Sequence, residues 1–160
     1  MKTKDAFKHI VIVKSLVVND SGEILFVKRK WEERPELHGK WEFPGGKLEY
    51  LEQPEQTAKR EAKEETGYDV EVKALLPKLL SFSKVFEGIN CSLTLICYLC
   101  KLIGGEKSMK DHGVSDVRWF NPDKVPKESD CLSGTSEYIN VYRSLMQNQK
   151  NNVPPHLKRV

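Results

Sequence analysis

The sequence predicts an α/β fold, a mixed β-sheet with helices on both faces. Three observations carry this expectation. Short runs rich in Ile, Val and aromatic residues recur between turn signals, as strands do. Two segments of helical period, one near the middle and one at the end, interrupt and close those runs. At 160 residues the chain is long enough for one well-buried core and short for two. Residues 1–150 therefore read as a single domain and 151–160 as a C-terminal tail.

The elements follow in order. Residues 9–18, rich in Ile and Val, read as a strand, and Asn19-Asp20-Ser21-Gly22 as a turn. Glu23 to Lys30 then forms a second strand, making a hairpin. Residues 31–40, WEERPELHGK, are a polar connection. Trp41 to Phe43 is a short strand leading into Pro44-Gly45-Gly46. A helix starts near Pro54, a residue favoured at the first helical position, with Gln53 a weak N-cap. It stops at Gly67, which suits a left-handed C-terminal position. Ala58 and Ala62, one turn apart, let this helix sit close to the sheet.

Residues 69–76 alternate apolar and charged, as a half-buried strand does. Lys78 to Phe86 and Cys91 to Ile103 are two more strands around a Glu87-Gly88 turn. Gly104 to Ser115 reads as a polar loop, Val117 to Phe120 as a short strand, and Pro122 to Pro126 as a break. Thr135 to Gln149 is the closing helix, with Tyr138, Ile139, Tyr142, Leu145 and Met146 along one side. The end, NNVPPHLKRV, has no core pattern and is a tail or an arm that packs on a partner.

Composition excludes several classes. A net charge of +3 is too small to argue for nucleic acid or an acidic membrane. No apolar run approaches the length of a membrane span. The start, MKTKDAFKHIVIV, superficially resembles a secretion signal, but its apolar stretch is short, is broken by Lys14 and lacks a small-residue cleavage site. It reads as the first strand. Cys97 and Cys100 form a C-x-x-C inside a strand, where residues three apart point to opposite faces. No second pair completes a zinc site, so Cys91, Cys97, Cys100 and Cys131 read as free thiols in a reducing cytoplasm.

The most informative stretch is residues 46–68, GKLEYLEQPEQTAKREAKEETGY, which runs from a Gly-Gly turn into the first helix. It carries Glu61, Glu64 and Glu65 as R-E-x-x-E-E. Positions i, i+3 and i+4 share a helix face, and like charges at that spacing destabilise a helix. A divalent cation would offset the repulsion, and hard cations such as Mg²⁺ prefer carboxylate oxygen. By themselves these acids, interleaved with Lys59, Arg60 and Lys63, also suit a solvated, salt-bridged face.

Read outward, the stretch fits G-x5-E-x7-R-E-U-x-E-E-x-G-U, where U is bulky and apolar. Gly46, Glu52, Arg60, Glu61, Glu64, Glu65 and Gly67 all fall in register. This resembles the Nudix box, the signature of the Nudix hydrolase family. Ala62 is smaller than the usual aliphatic residue and Tyr68 fills the last apolar position; neither change removes an acid. The resemblance implies the Nudix-type α/β/α sandwich and hydrolysis of a phosphoanhydride linked to a nucleoside diphosphate.

On that resemblance, Glu61, Glu64 and Glu65 hold Mg²⁺, with Mn²⁺ a substitute, and Gly46 supplies a backbone carbonyl. Glu61 or a neighbour is the base, alongside Glu64 and with Arg60 positioning a glutamate. Glu52 is expected to partner Arg60, a structural role ahead of the alternative of metal binding, and Gly67 is structural. The family often adds an acid from a downstream loop; Asp111 is the candidate, Asp116 its rival, and a turn or cap role suits either. His112 in the same loop is either a substrate contact or simply exposed.

The segment WEFPGG, residues 41–46, followed by Lys47, resembles the MutT-like branch, which acts on nucleoside triphosphates. Trp41 and Phe43 either flank a base or belong to the core. Arg29, with Lys28 and Lys30, and Lys47 are candidates to attract phosphates. The loop WEERPELHGK is where specificity is expected to vary.

Three readings follow: a (d)NTP pyrophosphohydrolase; a hydrolase of ADP-ribose, a nucleotide sugar, a dinucleoside polyphosphate or capped RNA; and a non-catalytic nucleotide-binding module. The complete carboxylate set favours an enzyme. The expected partner is a small nucleotide, without stable nucleic acid or membrane, and homodimers are common in the family.

Overall fold

The computed structural model describes residues 7–86 and 88–151. Strand β1 (Phe7–Val18) runs through the middle of the sheet and pairs in parallel with β7 (Ile89–Gly105), in register from Phe7↔Asn90 to Val18↔Lys101. The other ladders are antiparallel, which makes the sheet mixed. The chain turns from β1 into β2 (Ile24–Arg29) at Asn19, whose side-chain oxygen accepts the N–H groups of Ser21 (3.0 Å) and Glu23 (2.9 Å). Strands β3 (Trp41–Glu42) and β8 (Val114–Phe120) flank β2. Strand β4 (Gly45–Lys47) pairs with β1, and β5 (Tyr68–Leu75) and β6 (Leu80–Phe86) pair with β7.

Each face of this eight-stranded sheet has its own core. Val13, Val17, Leu25 and Val27 point to the face covered by helix α1 (Pro54–Thr66). Leu16, Ile24 and Phe26 point to the face covered by α2 (Thr135–Asn151). The split is the period of two that β geometry imposes. Fully burying each of these side chains contributes roughly 1.5–3 kcal/mol. Cys97 and Cys100 fall on opposite faces, and all four cysteines are free thiols.

Helix α1 is placed by its ends and its alanines. Pro54 occupies its first turn, and the Gln53 N–H donates to Gln56 Oε1 at 2.8 Å. Gly67 closes it with φ of 81°, its N–H on the Lys63 carbonyl at 2.9 Å. A Cβ there would lie 2.1 Å from the Glu106 carbonyl, so a side chain is excluded twice over. Ala58 and Ala62 have no exposed surface, and Ser15 Oγ of β1 donates to the Ala58 carbonyl at 3.0 Å. The helix therefore rests almost directly on the sheet.

Several boundaries differ from expectation. Gly45–Lys47 is a strand, not only a turn: a Cβ on Gly45 would lie 2.1 Å from the Val13 carbonyl, so only glycine permits this approach to β1. Strand β7 runs on to Gly105 because β5 supplies partners up to Tyr68↔Gly105, and β8 begins at Val114, opposite Arg29. Helix α2 includes residue 151; the rest of the expected tail, like Glu87 and residues 1–6, lies outside the described residues. Among the described residues, no helix is long and apolar enough to cross a membrane.

Candidate active site

Helix α1 presents three glutamates in three different environments. Glu61 is half-buried, Glu64 exposed and Glu65 buried. Arg60 organises the outer pair: one guanidinium nitrogen, Nη1, donates to Glu61 Oε1 at 2.7 Å and to Glu64 Oε2 at 3.2 Å. The other two nitrogens grip Glu52, Nε at 2.7 Å and Nη2 at 2.9 Å, and Nη2 also reaches the Lys47 carbonyl at 3.3 Å. The Thr57 hydroxyl donates to Glu52 at 2.7 Å. These bonds from Arg60 and Thr57 hold the Glu52 carboxyl down at about 2. Burial pushes Glu61 upward, opposed by Arg60 and reinforced by Glu64.

The donor atoms of the outer pair, Glu61 and Glu64, are of the kind a divalent cation takes. Nη1 marks a point within reach of two carboxylates at once, and a positive charge already stands there. Hard anionic oxygens around one point are what Mg²⁺ or Mn²⁺ takes. Gly46 lets the Glu61 carboxylate take this place: a Cβ on it would sit 2.3 Å from Glu61 Oε1. Among the described residues no three ligating side chains converge as arranged, since Arg60 lies between Glu61 and Glu64 while Glu65 turns inward.

Glu65 belongs to a buried network that ties the helix to the sheet. Arg29 Nη1 pairs with Glu65 at 2.5 Å, its Nε with Glu42, and its Nη2 donates to the Gly45 carbonyl at 3.1 Å. Lys14 pairs with the other oxygen of Glu42, and the Gly45 N–H donates to Glu65 at 2.9 Å. Two cations and two anions thus balance inside the protein, which burial requires. Burial pushes Glu65 up to about 7 against the pull of Arg29. Burial acts the same way on Glu42, but Arg29 and Lys14 outweigh it and hold Glu42 low.

The other predicted contacts divide. Lys47 is exposed at the end of β4, beside the acid face. Arg29 is 4 % exposed and committed to its ion pairs, so the structure gives it a supporting place, not an open one. Phe43, at 1 % exposure, lies in the α2-side core against Phe26. Trp41 is buried too, edge-on to Phe120 and stacked with Lys28 and Arg118.

Asp111 and Glu64 line the same open cleft of about 610 Å³, with Lys63 and Gly67. Asp111 also shapes its turn, accepting the Gly113 N–H at 2.6 Å. Asp116 is engaged elsewhere, with Arg118 (2.6 Å), Lys107 and the Val117 N–H (2.8 Å). His112 is exposed.

A model of the NUDIX domain matches residues 8–140. The chain belongs to the Nudix family. It is a MutT-like Nudix hydrolase, an enzyme class acting on pyrophosphate bonds of small nucleotides, generally with divalent metal ions. It is similar to a MutT-like protein of Streptomyces ambofaciens, 33% identical over 140 residues that span 82% of each chain. An ADP-ribose pyrophosphatase of Bacillus subtilis is 48% identical over 67 residues, 41% of this chain and 34% of that one. Among solved structures, the MutT NUDIX hydrolase of Burkholderia pseudomallei aligns with a TM-score of 0.68 at 28% identity, covering 82% of this chain and 96% of that one.

Residues of this Nudix domain that sequence reasoning missed are Lys14 and Glu42. A lysine in the middle of an apolar strand is the signal for the first: such a charge needs a buried partner. Glu42 sits between two core aromatics on the same terms.

Proposed function

We propose that this Nudix hydrolase uses Mg²⁺ to cleave a nucleoside triphosphate to the monophosphate and pyrophosphate. The observation that carries this reading is the pair of carboxylates, Glu61 and Glu64, that share one Arg60 nitrogen, with the side-chain-free Gly46 against Glu61. Glu61 and Glu64 would hold the ion with the Gly46 carbonyl, and Asp111 lines the same cleft as Glu64. A bound Mg²⁺ neutralises phosphate oxygens and makes a coordinated water more acidic. The chain's own part is to hold the acids in place. Glu61, pushed upward by burial, is suited to accept the proton of the attacking water. Arg60 orients Glu61, and Glu52, itself held by the Thr57 hydroxyl, fixes Arg60 in turn. Lys47 offers an exposed positive charge to the phosphates.

The triphosphate is supported by the WEFPGGK segment and by similarity to putative 8-oxo-dGTP diphosphatases, one of Mycobacterium tuberculosis being 32% identical over 112 residues. The Bacillus relative favours a second substrate, ADP-ribose. The buried free thiols support a reducing, cytoplasmic setting.

The test is phosphate and pyrophosphate release with Mg²⁺ across canonical and oxidised (d)NTPs, ADP-ribose, nucleotide sugars and dinucleoside polyphosphates. Pyrophosphate from one triphosphate is expected, with Glu61→Gln slower by about a thousandfold and still folded. Turnover of ADP-ribose alone would replace the triphosphate with the second substrate. Full activity in Glu61→Gln would remove Glu61 from the chemistry, and binding without turnover would favour a regulatory module.

A further inference from the structure

Trp41 and Phe43, the aromatics of the WEFPGG segment, are buried with their faces covered. Trp31, which opens the connection from β2 to β3, is only half-buried. Its ring lies over the Arg29 guanidinium, 5.2 Å from ring centre to Cζ. That guanidinium is fixed by Glu42, Glu65 and the Gly45 carbonyl. The indole edge lies beside the turn that carries Asp111: a Cβ on Gly113 would be 3.5 Å from Trp31 Nε1. One face of the ring thus rests on a support shared with the acid helix. The rest of the side chain walls an open cavity of about 570 Å³, lined by Lys30, Trp31, Glu32, Glu33 and Arg34.

The lining selects what can enter. Two cations and two carboxylates line it, so the cavity offers no net charge to a polyphosphate. An aromatic wall with carboxylate acceptors beside it suits a planar heterocycle bearing N–H donors. The volume is that of a small-molecule site.

We propose that Trp31 is the platform on which the substrate's nucleobase stacks while its phosphates lie at Glu61 and Glu64. Arg29 joins the platform to the acid helix, touching the Trp31 ring on one side and Glu65 and the Gly45 backbone on the other. This inference rests on the hydrolase reading above and adds the residue that recognises the base.

Steady-state kinetics of Trp31→Ala and Trp31→Phe test it on the best nucleotide substrate, with inorganic pyrophosphate as a base-free competitor. Stacking of this kind predicts that Trp31→Ala raises KM about 10- to 100-fold and leaves kcat nearly unchanged. Trp31→Phe restores most of the affinity, and the inhibition constant of pyrophosphate stays where it was. A KM within about twofold of wild type in Trp31→Ala overturns the proposal. So does a parallel loss of pyrophosphate affinity and melting temperature, which marks Trp31 as a mere support for Arg29. If the wild type turns over no nucleotide, the hydrolase reading fails separately. The platform is then judged by calorimetric binding of the same nucleotides, and equal affinity in wild type and Trp31→Ala overturns it.

Discussion

Gly46→Ala probes the acid site with the least chemical change. Gly46 pairs with Val13 where β4 joins β1, and its backbone is not in the left-handed region, so alanine suits the local conformation. The added Cβ meets one obstacle. It would lie 2.3 Å from Glu61 Oε1, 2.5 Å from Cδ and 2.7 Å from Oε2. Ordinary contact begins near 3.4 Å, so the carboxylate must retreat by about 1 Å. That retreat breaks the 2.7 Å bond from Arg60 Nη1 and separates Glu61 from Glu64. A misplacement of about 1 Å costs roughly 10²-fold in rate, or about 2.7 kcal/mol of barrier. The expected outcome is a kcat/KM lower by about a hundredfold at saturating Mg²⁺, with a melting temperature within a few degrees of wild type. The assay is product release on the best nucleotide of the panel, with thermal melting of the same preparations. A kcat/KM within about threefold of wild type would mean that Glu61 as placed is not part of the chemistry.

Two further predictions concern the groups behind the acids. Arg29→Met leaves Glu65 buried without its cation, so stability falls by about 3–5 kcal/mol and the melting temperature by about 10 °C, measured by urea and thermal unfolding. An unchanged urea midpoint would show that Glu65 does not need Arg29 to stay buried. Glu52→Gln tests the Arg60 clamp through pH. The folded carboxyl sits at about 2 against an ordinary 4.5, so its contribution is present above 4.5 and is lost as pH falls toward 2. Wild type should melt above Glu52→Gln at neutral pH, and the gap should close across that window; a gap constant with pH would refute the link to ionisation.

Features with a local cause were legible in the chain. Pro54 and Gly67 mark the ends of α1 because proline and left-handed glycine act within one turn. The alternation in β1 and β2 places each residue on its face without reference to any partner. Features that depend on distant partners were not legible. Gly45–Lys47 reads locally as a turn and becomes a strand only because β1 lies beside it, 31 to 35 positions earlier in the ladder Ile12↔Lys47 to Lys14↔Gly45. Arg29 reads as a basic residue at a strand end, yet its neighbours in space, Glu42 and Glu65, come from β3 and α1 and draw it inside.

The same limit divides the candidate site. R-E-x-x-E-E presents its three glutamates as equivalents on one helix face, and helical spacing alone gives no reason to separate them. The sheet supplies the reason. Glu65 faces it and meets Arg29, Glu64 faces solvent, and Glu61 lies between, under Gly46. Burial therefore grades the three acids, with Glu65 the most costly to keep charged and Glu64 the least. A residue that must hold a cation and pass a proton belongs at neither extreme. It needs enough burial to raise its affinity for the proton and enough access to meet substrate. Of the three, Glu61 has both, which supports it as the proposed base, and its room is set by a glycine that the motif specifies and the fold explains.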